Sequence, residues 1–526
     1  MNLVIGSGPA GVSCAMALLQ ANQPITMIDS GTTLEPDRLQ ALQQLQTIGP
    51  EQWTSPATDF LHDGMRANAD GILLKRAFGS DYPYRVPLSG FGLTLDGADF
   101  RPSFSQGGFS SVWGGVVLPH RDEDIQNWPV RVAELAPHYS AVAQFMPIAS
   151  GLDRLSDLYP LYSDRVHRFE HSPQAKLLLS RWDAASQPLA TNHIRFGSSR
   201  VAFRTQQPSG DGCAYCGLCM YGCPRGLIYN SADTLQQLRS SPNFRYIDGL
   251  TVDAVHEDPD GVHLCCRSNA DGSPTIVRGK RAFLACGVLN TARMALAQGW
   301  VPEPRLTLSD SQYFLLPLLT FRGAGRGFDQ HIHTLAQMFL EILDHEVSPY
   351  TVHLQLYTYS SLMREALLDK VGPLAPIAKP FANSFLSRLV MVQGYLHSDH
   401  SDRIDVSLRP DGDRTLDVRR IENSQNRAVI ARICRKLWQN RRHLGLVPLT
   451  PLLKPGLAGR GFHVGSSLPM SAQPTPSATD LLGRPYGLHR THIVDASVLP
   501  SIPATTITFT VMANAHRIGA AAASLS

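Results

Sequence analysis

Three glycines and one aspartate near the start of the chain have the types and spacing that bind a dinucleotide. Gly6, Gly8 and Gly11 form a G-x-G-x-x-G turn. The turn follows an apolar run at residues 3–5, and Asp29 ends the next apolar run. Such glycines permit a tight bend, a close approach to pyrophosphate and close helix packing, while the acid accepts from ribose hydroxyls. The stretch predicts a βαβ unit that binds FAD or NAD, and the turn alone does not decide between them.

Four cysteines lie within eleven residues in the order C-x2-C-x2-C-x3-C-P. They are Cys213, Cys216, Cys219 and Cys223. This spacing is that of bacterial ferredoxins, in which a loop wraps thiolates around an iron–sulfur cluster. In two-cluster ferredoxins the fourth cysteine serves the other cluster, and the sequence has no second run. The run favours a 3Fe–4S or 4Fe–4S cluster, with structural zinc, free thiols and a disulfide as open alternatives.

A second glycine-rich stretch, FSQGGFSSVWGGVVLP, runs from Phe104 to Pro119. Its glycine pairs remove Cβ atoms where a backbone passes close to something flat or crowded. Ser111 and Trp113 add a hydroxyl and an indole, and Gly114 follows them. The stretch suits a flavin ring system, and a glycine-rich turn in a β domain is the alternative.

A histidine stands in a glycine-bordered loop near the end of the chain. His463 lies between Gly461 and Gly465. An imidazole that titrates near neutral pH can take a hydroxyl proton, so His463 is a candidate general base. We expect the histidines between residues 331 and 400 to be surface or satisfied core residues.

The elements that position these residues indicate two kinds of sheet. Residues 1–30 alternate strand, helix and strand, whereas residues 300–455 contain strand-like runs typical of an antiparallel sheet. A chain of 526 residues with 43% hydrophobic content can bury a large core and commonly divides into two domains. We therefore predict an α/β protein with a Rossmann-like domain and an α+β domain on an antiparallel sheet.

Charge and hydropathy exclude several partners. A net charge of +3 without a lysine–arginine run gives no reason to expect nucleic acid. The densest apolar stretch, residues 314–321, is far shorter than the roughly 20 residues of a membrane helix and contains a proline, so we predict no membrane span. The first strand begins at residue 2, which leaves no room for an export signal, and we expect a cytoplasmic protein.

Four stretches together resemble the glucose–methanol–choline (GMC) flavoprotein oxidoreductases. They are the glycine turn, the GGFSSVWGG stretch, LACGVLNTARMAL at residues 284–296 and VDASVLPSIPATTITFTVMANAHRIG at residues 494–519. The resemblance implies FAD rather than NAD. It also implies a discontinuous FAD-binding domain with an inserted substrate domain. The FAD domain comprises residues 1–130, 200–300 and 456–526, with the cysteine-rich loop at 211–226, and the substrate domain comprises residues 131–199 and 301–455.

The resemblance also implies roles for single residues. Asp495 matches the family's flavin-contacting position, and Val252 lies where the family presents its backbone to the adenine. His463 aligns with the catalytic histidine, although the family's HxxG pattern is shortened here to His-x-Gly. Thr506 occupies the position where most members have asparagine or histidine, and a threonine can donate one hydrogen bond but cannot act as a base. We expect Thr506 to contact flavin and substrate oxygen, at the start of a helix whose positive end faces the flavin.

The implied activity is the oxidation of a CH–OH group by hydride transfer to flavin N5. The expected substrate is a small-molecule alcohol, a sugar or polyol. The cysteine run also resembles that of cluster-bearing FAD glucose dehydrogenases, which implies electron transfer to an external acceptor that is a cytochrome or is quinone-linked. It further implies a small signal-bearing subunit for co-export to the periplasm.

Two other activities stay open. Long-chain alcohol oxidases of the family carry a similar cysteine-rich stretch, so one alternative is a long-chain or terpenoid alcohol oxidoreductase. The other is a redox-neutral, flavin-dependent isomerase or epimerase, in which hydride returns to the same carbon.

Overall fold

The computed structural model describes most of the chain. The described residues are 1–64, 72, 74–88, 91–151, 153–205, 212–323, 332–358, 385–409 and 414–525. Their helices are α1 (Pro9–Gln20), α2 (Pro36–Thr47), α3 (Ser55–Thr58), α4 (Val132–Ala143), α5 (Pro173–Ala184), α6 (Ser186–Thr191), α7 (Ser231–Leu238), α8 (Val288–Ala297), α9 (Asn426–Gln439), α10 (Arg441–Leu444) and α11 (Thr508–Ala523).

The strands of the described part fall into five sheets. In chain order they are β1 (Asn2–Ile5), β2 (Ile25–Ile28), β3 (Leu93–Asp96), β4 (Ile148–Ala149), β5 (Val166–His167), β6 (Ile194–Ser198), β7 (Phe244–Ile247), β8 (Leu250–Asp258), β9 (Gly261–Ser268), β10 (Pro274–Gly279), β11 (Ala282–Leu284), β12 (Arg305–Asp310), β13 (Tyr313–Thr320), β14 (Met338–Ile342), β15 (Val352–Tyr357), β16 (Leu389–Tyr395), β17 (Arg403–Leu408), β18 (Leu416–Ile421), β19 (Leu446–Pro448), β20 (Lys454–Pro455), β21 (Val464–Gly465) and β22 (Thr491–Ile493).

A parallel sheet in the order β22-β11-β1-β2-β7 carries the glycine turn. All residues of β1 and β2 are buried, as expected of parallel strands covered on both faces. Helix α1 packs against α11, where Gly519 permits close approach because a Cβ there would lie 2.9 Å from the carbonyl oxygen of Cys14. The last helix of the chain thus supports the first.

An antiparallel sheet in the order β19-β13-β16-β15-β14-β6 forms a second layer. One of its faces is apolar and packs with α5 and α9 in a separate core that includes Leu354, Leu356 and Val392. The alternate positions of the central strands β14, β15 and β16 point the other way. Those positions carry Glu341, Phe339, His353, Gln355, Tyr357, Gln393 and Tyr395.

A five-stranded sheet in the order β21-β12-β17-β18-β3 joins these two layers. Its apolar residues, such as Leu308 and Val406, belong to the same core as the parallel sheet. Helix α4 also contributes Leu135 and Tyr139 to that core. The domain boundaries therefore stay a prediction, since parts of residues 131–199 and 301–455 pack with the nucleotide-type sheet.

The predicted α/β class, with a parallel Rossmann-like sheet and an antiparallel sheet, is confirmed. Residues 314–321 lie mostly in the buried strand β13, as predicted. Of the helices in the described ranges, none combines the length and the apolar character needed to cross a bilayer.

Candidate active site

A cleft opens at the carboxyl ends of β1 and β2, the place where open α/β sheets bind nucleotides. Its empty volume is about 1450 Å³, including space open to solvent. The residues that line it come from many segments of the chain. They are residues 5–10, 28–30, 91, 100–105, 108–109, 250–253, 285–290, 293–294, 297, 414, 462, 464, 495–496, 507–508 and 511. The cleft thus runs from the glycine turn to the start of α11.

The three glycines of the turn differ in the steric reason for which a side chain is excluded. Gly6 has a φ of +99°, and a Cβ there would lie 2.5 Å from the carbonyl oxygen of Ala285. A Cβ on Gly11 would lie 1.9 Å from the carbonyl oxygen of Gly6. At Gly8 the nearest atom would be Cα of Gly108 at 3.8 Å, which is ordinary contact. The protein itself requires glycine at positions 6 and 11, whereas only a ligand would require it at position 8.

Helix α1 begins at this turn without a side-chain cap. Gly8 is the N-cap residue, and Pro9 occupies the first helical position. Backbone N–H groups and the positive end of the helix dipole therefore face the cleft, which suits a pyrophosphate.

Asp29 lies at the end of β2 and is buried at the cleft wall. Its Oδ2 accepts hydrogen bonds from Ser7 Oγ and, at 3.2 Å, from Tyr246 Oη. Burial raises the pKa of Asp29 to about 6, although these hydrogen bonds oppose the rise. The backbone N–H groups of Ser7 and Gly31 also lower this pKa by hydrogen bonding, so a ribose hydroxyl would share the roughly four acceptor sites of the carboxylate with four protein groups.

The glycine-rich stretch forms the wall opposite α1. Gly107 and Gly108 have φ values of +85° and +55° and lead into a 3-10 turn at Gly108–Ser111. Ser111 Oγ donates to the carbonyl oxygen of Gly108 at 2.7 Å and so holds the turn closed. Gly108 and Phe109 line the cleft, while Ser111, Trp113 and Gly114 lie behind this lining.

Trp113 and Gly114 connect the cleft to the antiparallel sheet. Trp113 Nε1 donates to the carbonyl oxygen of Tyr229 at 2.8 Å, and the Trp113 carbonyl accepts from Lys75 Nζ at 2.6 Å. A Cβ on Gly114 would lie 4.0 Å from Tyr357 Oη on β15. The predicted flavin loop therefore faces the polar side of the predicted substrate sheet.

Val252 and Asp495 both line the cleft, on opposite sides of the parallel sheet. Val252 lies in β8, where the register with β9 shifts. Asp495 is buried, and its carboxylate accepts from Thr291 Oγ1 at 2.6 Å and from the backbone N–H of Ser497 at 2.9 Å. Burial raises the pKa of Asp495.

The residues present fit FAD. An uncapped helix start stands beside Gly8, and the buried acid Asp29 stands at the end of the second strand. Helix α11 has no side-chain cap either, and Ile507, Thr508 and Val511 of its first turns line the far end of the cleft. Two helix starts along one cleft suit a ligand with a pyrophosphate and an electron-accepting ring.

His463 lies between two residues of the cleft lining, Phe462 and Val464, but is not itself part of that lining. Its ring instead stacks on Tyr395 of β16, with centroids 4.7 Å apart. The residue keeps some accessible surface, yet protein surrounds the ring. This desolvation lowers the pKa of His463 to about 3, with a further contribution from His353. The imidazole is therefore neutral at pH 7, and the same desolvation makes it a weaker base than a solvated imidazole.

The backbone around His463 is held in an unusual conformation. Phe462 and Ser466 have φ values of +55° and +63° without being glycine. Strand β21 then pairs with β12, and a Cβ on Gly465 would lie 2.4 Å from the carbonyl oxygen of Ala496. Strain of this kind persists where the surrounding structure fixes a functional side chain.

Thr506 lies two residues before α11 and is buried. Its Oγ1 has no hydrogen-bond partner among the described residues, and neither does Nδ1 of His463. Unpaired buried polar atoms cost stability, so such atoms point to water or a ligand.

Three further histidines were missed as functional candidates. Each has one ring nitrogen engaged, and each has Nε2 buried without a partner in the described ranges. His353 Nδ1 lies 2.7 Å from Glu341 Oε1, His397 Nδ1 accepts from the backbone N–H of Asp399 at 3.1 Å, and His120 Nδ1 lies 2.8 Å from the hydroxyl of Thr505. The expectation that His353 and His397 are surface or satisfied core residues is wrong for these nitrogens, and His120 belongs to no motif of the sequence.

The pair Glu341 and His353 is fully buried in the antiparallel sheet. The two residues lie opposite each other in the register of β14 and β15, and Tyr159 Oη donates to the second carboxylate oxygen at 3.2 Å. Gln355, two residues on, accepts from Tyr357 Oη but leaves its Nε2 unpartnered within the described chain. Alternating polar residues in VHLQLY are the sequence signal that could have identified this face.

The cysteine loop lies between β6 and α7, and its described part begins at residue 212. Cys213, Cys216, Cys219 and Cys223 are free thiols. Backbone N–H groups donate to Cys213 Sγ and to Cys223 Sγ at 3.4 Å, as they do around iron–sulfur clusters. Burial raises the pKa of Cys213 and of Cys216 to about 12.

As placed, these thiols do not fit a cluster. No three His, Cys, Asp or Glu side chains of the described ranges converge so that they could hold a metal ion. The spacing brings four cysteines into one loop, but the loop does not close their sulfur atoms around a common point.

Comparisons with known proteins agree with this geometry. Residues 452–515, which include His463, Asp495 and Thr506, match the family model of GMC oxidoreductases. Paromamine 6'-oxidase of Streptomyces fradiae is 22% identical over 549 aligned positions, covering 99% of this chain and 91% of that protein. The solved structure of pyridoxine 4-oxidase from Mesorbium loti superimposes with a TM-score of 0.59 at 13% identity, over 98% of each chain.

Proposed function

We propose that the chain is a FAD-dependent GMC oxidoreductase and that it oxidises a hydroxyl of a sugar or polyol, which the family-model match at residues 452–515 and the similarity to paromamine 6'-oxidase support. The observation that supports the proposal is the position of His463 between two residues of the cleft lining, with its imidazole against Tyr395 on the polar face of the antiparallel sheet. An alcohol carbon bound between this face and the cleft would have a proton acceptor on one side and an electron acceptor on the other.

FAD would be held by the turn at Gly8, the acid Asp29, the backbone at Val252 and the start of α11. When bound, it supplies the acceptor for the two electrons of the alcohol's C–H bond. The chain supplies the proton acceptor, since the lowered pKa keeps the His463 imidazole neutral. Thr506 Oγ1 can donate a hydrogen bond to the reacting oxygen.

The helix start adds an electrostatic contribution. The N-terminus of α11 carries partial positive charge, and its first residues line the cleft. Negative charge that develops there during oxidation is stabilised by backbone dipoles that are already oriented.

The substrate class follows from the polar face of the antiparallel sheet. Nε2 of His353 and Nε2 of Gln355 are buried without partners among the described residues. A sugar or polyol satisfies such groups with several hydroxyls, whereas a long-chain or terpenoid alcohol would leave them unpaired at about 1 to 3 kcal/mol each. This difference favours the polar substrate.

The first test is reduction of the flavin without oxygen. Purified protein should release non-covalent FAD on unfolding. In the folded holoenzyme, glycerol, myo-inositol, D-glucose and D-glucosamine should bleach the oxidised flavin faster than 1-decanol and geraniol do. Folded protein that binds no flavin would refute the family-based function, and bleaching by decanol or geraniol alone would refute the substrate class. Substrate interconversion without any acceptor would indicate an isomerase instead.

A second candidate concerns the electron acceptor. Both named relatives are oxidases, which favours oxygen. The ferredoxin-like spacing supports an external one-electron carrier, whereas the placement of the thiols opposes it, since no three of them converge in the described ranges. Lys75 lies between the two regions: its ammonium donates to the Trp113 carbonyl, and burial lowers its pKa to about 8 while Cys219 opposes the fall.

Iron and sulfide analysis together with two variants decides between these acceptors. Replacing Cys216 by serine should slow turnover with ferricenium but spare anaerobic flavin reduction if the loop serves a carrier. Cys434→Ser is the matched control, since this buried thiol lies in α9 outside the loop. Protein without iron, with equal turnover in both variants, assigns oxygen as the acceptor. The signal-bearing subunit and the cytoplasmic or periplasmic location stay predictions.

A further inference from the structure

His120 is a buried imidazole outside every motif of the sequence. It is only 1% exposed and is held from three sides. Its backbone N–H donates to Tyr139 Oη at 3.3 Å, and its Nδ1 lies 2.8 Å from Thr505 Oγ1. Its ring packs edge-on against Trp128, with centroids 5.7 Å apart and an interplanar angle of 89°. A side chain fixed in this way has one orientation.

The remaining nitrogen of this ring has nothing to bind. Nε2 of His120 is buried and lacks a hydrogen-bond partner in the part of the chain that is described. Its titratable neighbours are His463 and His397, each of which also has a buried ring nitrogen without such a partner. Thr505, which accepts or donates the hydrogen bond to His120, directly precedes Thr506, whose hydroxyl also has no partner among the residues described. These unpaired atoms come from four segments of the chain, and a polar ligand would satisfy them together.

We propose that His120 is a second catalytic imidazole, whose Nε2 hydrogen-bonds the reacting oxygen of the alcohol. The inference rests on the proposed function and assigns it a residue that the sequence motif lacks. Thr506 occupies the second catalytic position of the motif and has no imidazole. His120 provides one from a site 385 residues away from Thr505 along the chain.

The chemistry requires His120 to donate a hydrogen bond to the reacting oxygen throughout. On oxidation the alcohol's O–H proton passes to the His463 imidazole, and the C–H hydrogen leaves with its electron pair to the acceptor that FAD provides, so that C=O forms. The alcohol's single O–H is committed to His463, so toward any other group its oxygen only accepts, as does the oxygen of the carbonyl product. With the Thr505 hydroxyl donating to Nδ1, the ring N–H of neutral His120 lies at Nε2 and can donate to that oxygen before and after the reaction.

The kinetic test compares His120→Ala and His120→Gln with the parent enzyme. With the alcohol of the panel that reduces the flavin fastest, anaerobic stopped-flow should show reduction about 10²-fold to 10³-fold slower in His120→Ala, as for loss of one preorganised donor. His120→Gln keeps a polar group and should regain about tenfold of this rate. His492→Gln is the matched control. His492 is equally buried and has an unpartnered Nε2 within the described residues, but it lies in β22 against Phe283.

A second readout does not depend on turnover. Histidine side chains labelled with nitrogen-15 report hydrogen bonding directly, and the His120 signal is assigned by its loss in His120→Gln. Trifluoroethanol is the probe, because its electron-poor carbon resists hydride loss. Its addition to the holoenzyme should shift the Nε2 resonance of His120 and leave that of His492 in place.

The outcomes separate this inference from the function on which it rests. If His463→Ala slows flavin reduction while His120→Ala stays within about threefold of the parent, the inference is wrong and the function stands. An Nε2 resonance of His120 that does not shift when trifluoroethanol is added also overturns the inference. If no alcohol reduces the flavin of the parent enzyme, the proposed function itself fails. If His120→Ala does not fold, the flavin-reduction rate of His120→Gln and the shift of the Nε2 resonance decide whether the inference holds.

Discussion

The nucleotide cleft and the surroundings of His463 differ in how many of their buried polar groups already have hydrogen-bond partners. In the cleft, Asp29 and Asp495 already accept hydrogen bonds from neighbouring hydroxyl groups. Around His463, the imidazoles of His120, His353 and His397 each keep a nitrogen that binds nothing in the described chain. A tightly bound cofactor requires a rigid, preorganised binding site. A substrate that binds and dissociates in each turnover requires polar groups that are available for hydrogen bonding.

The difference also concerns stability. A buried polar atom without a partner costs about 1 to 3 kcal/mol, and the His463 region contains several such atoms. The parallel sheet and α11 around the cleft contribute a continuous apolar core that can offset this cost. The candidate catalytic residues therefore lie where the most buried polar atoms lack partners. This agrees with the general observation that strain and unpaired polar groups occur at functional sites.

The largest expected effect is at the glycine turn. Gly11→Val should prevent folding, since its Cβ would lie 1.9 Å from the Gly6 carbonyl oxygen, and should yield no soluble FAD-containing protein. Gly8→Ala should fold within about 1 kcal/mol of the parent but bind FAD at least about tenfold more weakly. Unfolding midpoints and FAD titration measure both. A Gly8→Ala variant with parental FAD affinity would place the pyrophosphate elsewhere.

The next effect separates His463 from Thr506. His463→Ala should slow anaerobic flavin reduction by about 10² to 10⁴ while FAD stays bound, because the general base is lost. Thr506→Ala removes one neutral hydrogen bond and should cost about 2-fold to 13-fold. Stopped-flow spectroscopy gives the ranking. If Thr506→Ala proves the more damaging change, the base must be reassigned.

A smaller effect is expected for Asp29. Asp29→Asn should weaken FAD binding about 10-fold to 100-fold at pH 8, the worth of a hydrogen bond to a charged group. In the parent, FAD affinity should fall as the pH drops through about 6, where the carboxylate protonates. The asparagine variant should lack this dependence, and Asp37→Asn, at an exposed acid of α2, should keep it.

The same carboxylate predicts a stability change of known sign. The pKa of Asp29 is about 6 in the folded protein against an ordinary value of 3.8, so the folded state holds the proton more tightly. Stability of the FAD-free protein should therefore fall as the pH rises from 3.8 through 6, and Asp29→Asn should remove that fall. Urea unfolding across this range measures it, and an unchanged slope would show that Asp29 is not desolvated.

The smallest effect tests the imidazoles. Burial lowers the pKa of His120 to about 3, so the folded state resists a proton that the unfolded chain takes up near pH 6.5. This residue should make the protein less stable as the pH falls from 6.5 towards 3. His120→Gln should reduce the slope by at most about 1.4 kcal/mol per pH unit. His443→Gln, at an exposed side chain of α10, is the control.

The sequence predicts the cofactor end of the molecule because its residues act on their neighbours. Gly6 and Gly11 meet within one turn, and the apolar runs of β1 and β2 show directly that they are buried. The helix after Thr506 was predicted from the same kind of local pattern, and it continues to Ala523. Such features depend on a few adjacent residues, so they can be identified before any tertiary structure is known.

The substrate end could not be predicted in the same way. Glu341 meets His353 only through the register of β14 and β15, and His120 meets Thr505 only in the folded chain. No local pattern encodes these contacts. The cysteine run shows that a local pattern can also be insufficient. Its spacing brings Cys213 and Cys223 within one loop but does not fix the direction of their sulfur atoms.

The packing of α11 on α1 has a consequence for the order of folding. Ser13 of α1 donates a hydrogen bond to the carbonyl oxygen of Met512 in α11, across 499 residues of sequence. Contacts of such long sequence separation form late, because the entropy of closing the intervening chain opposes them. The Rossmann-like sheet is therefore complete only when these two distant segments have met.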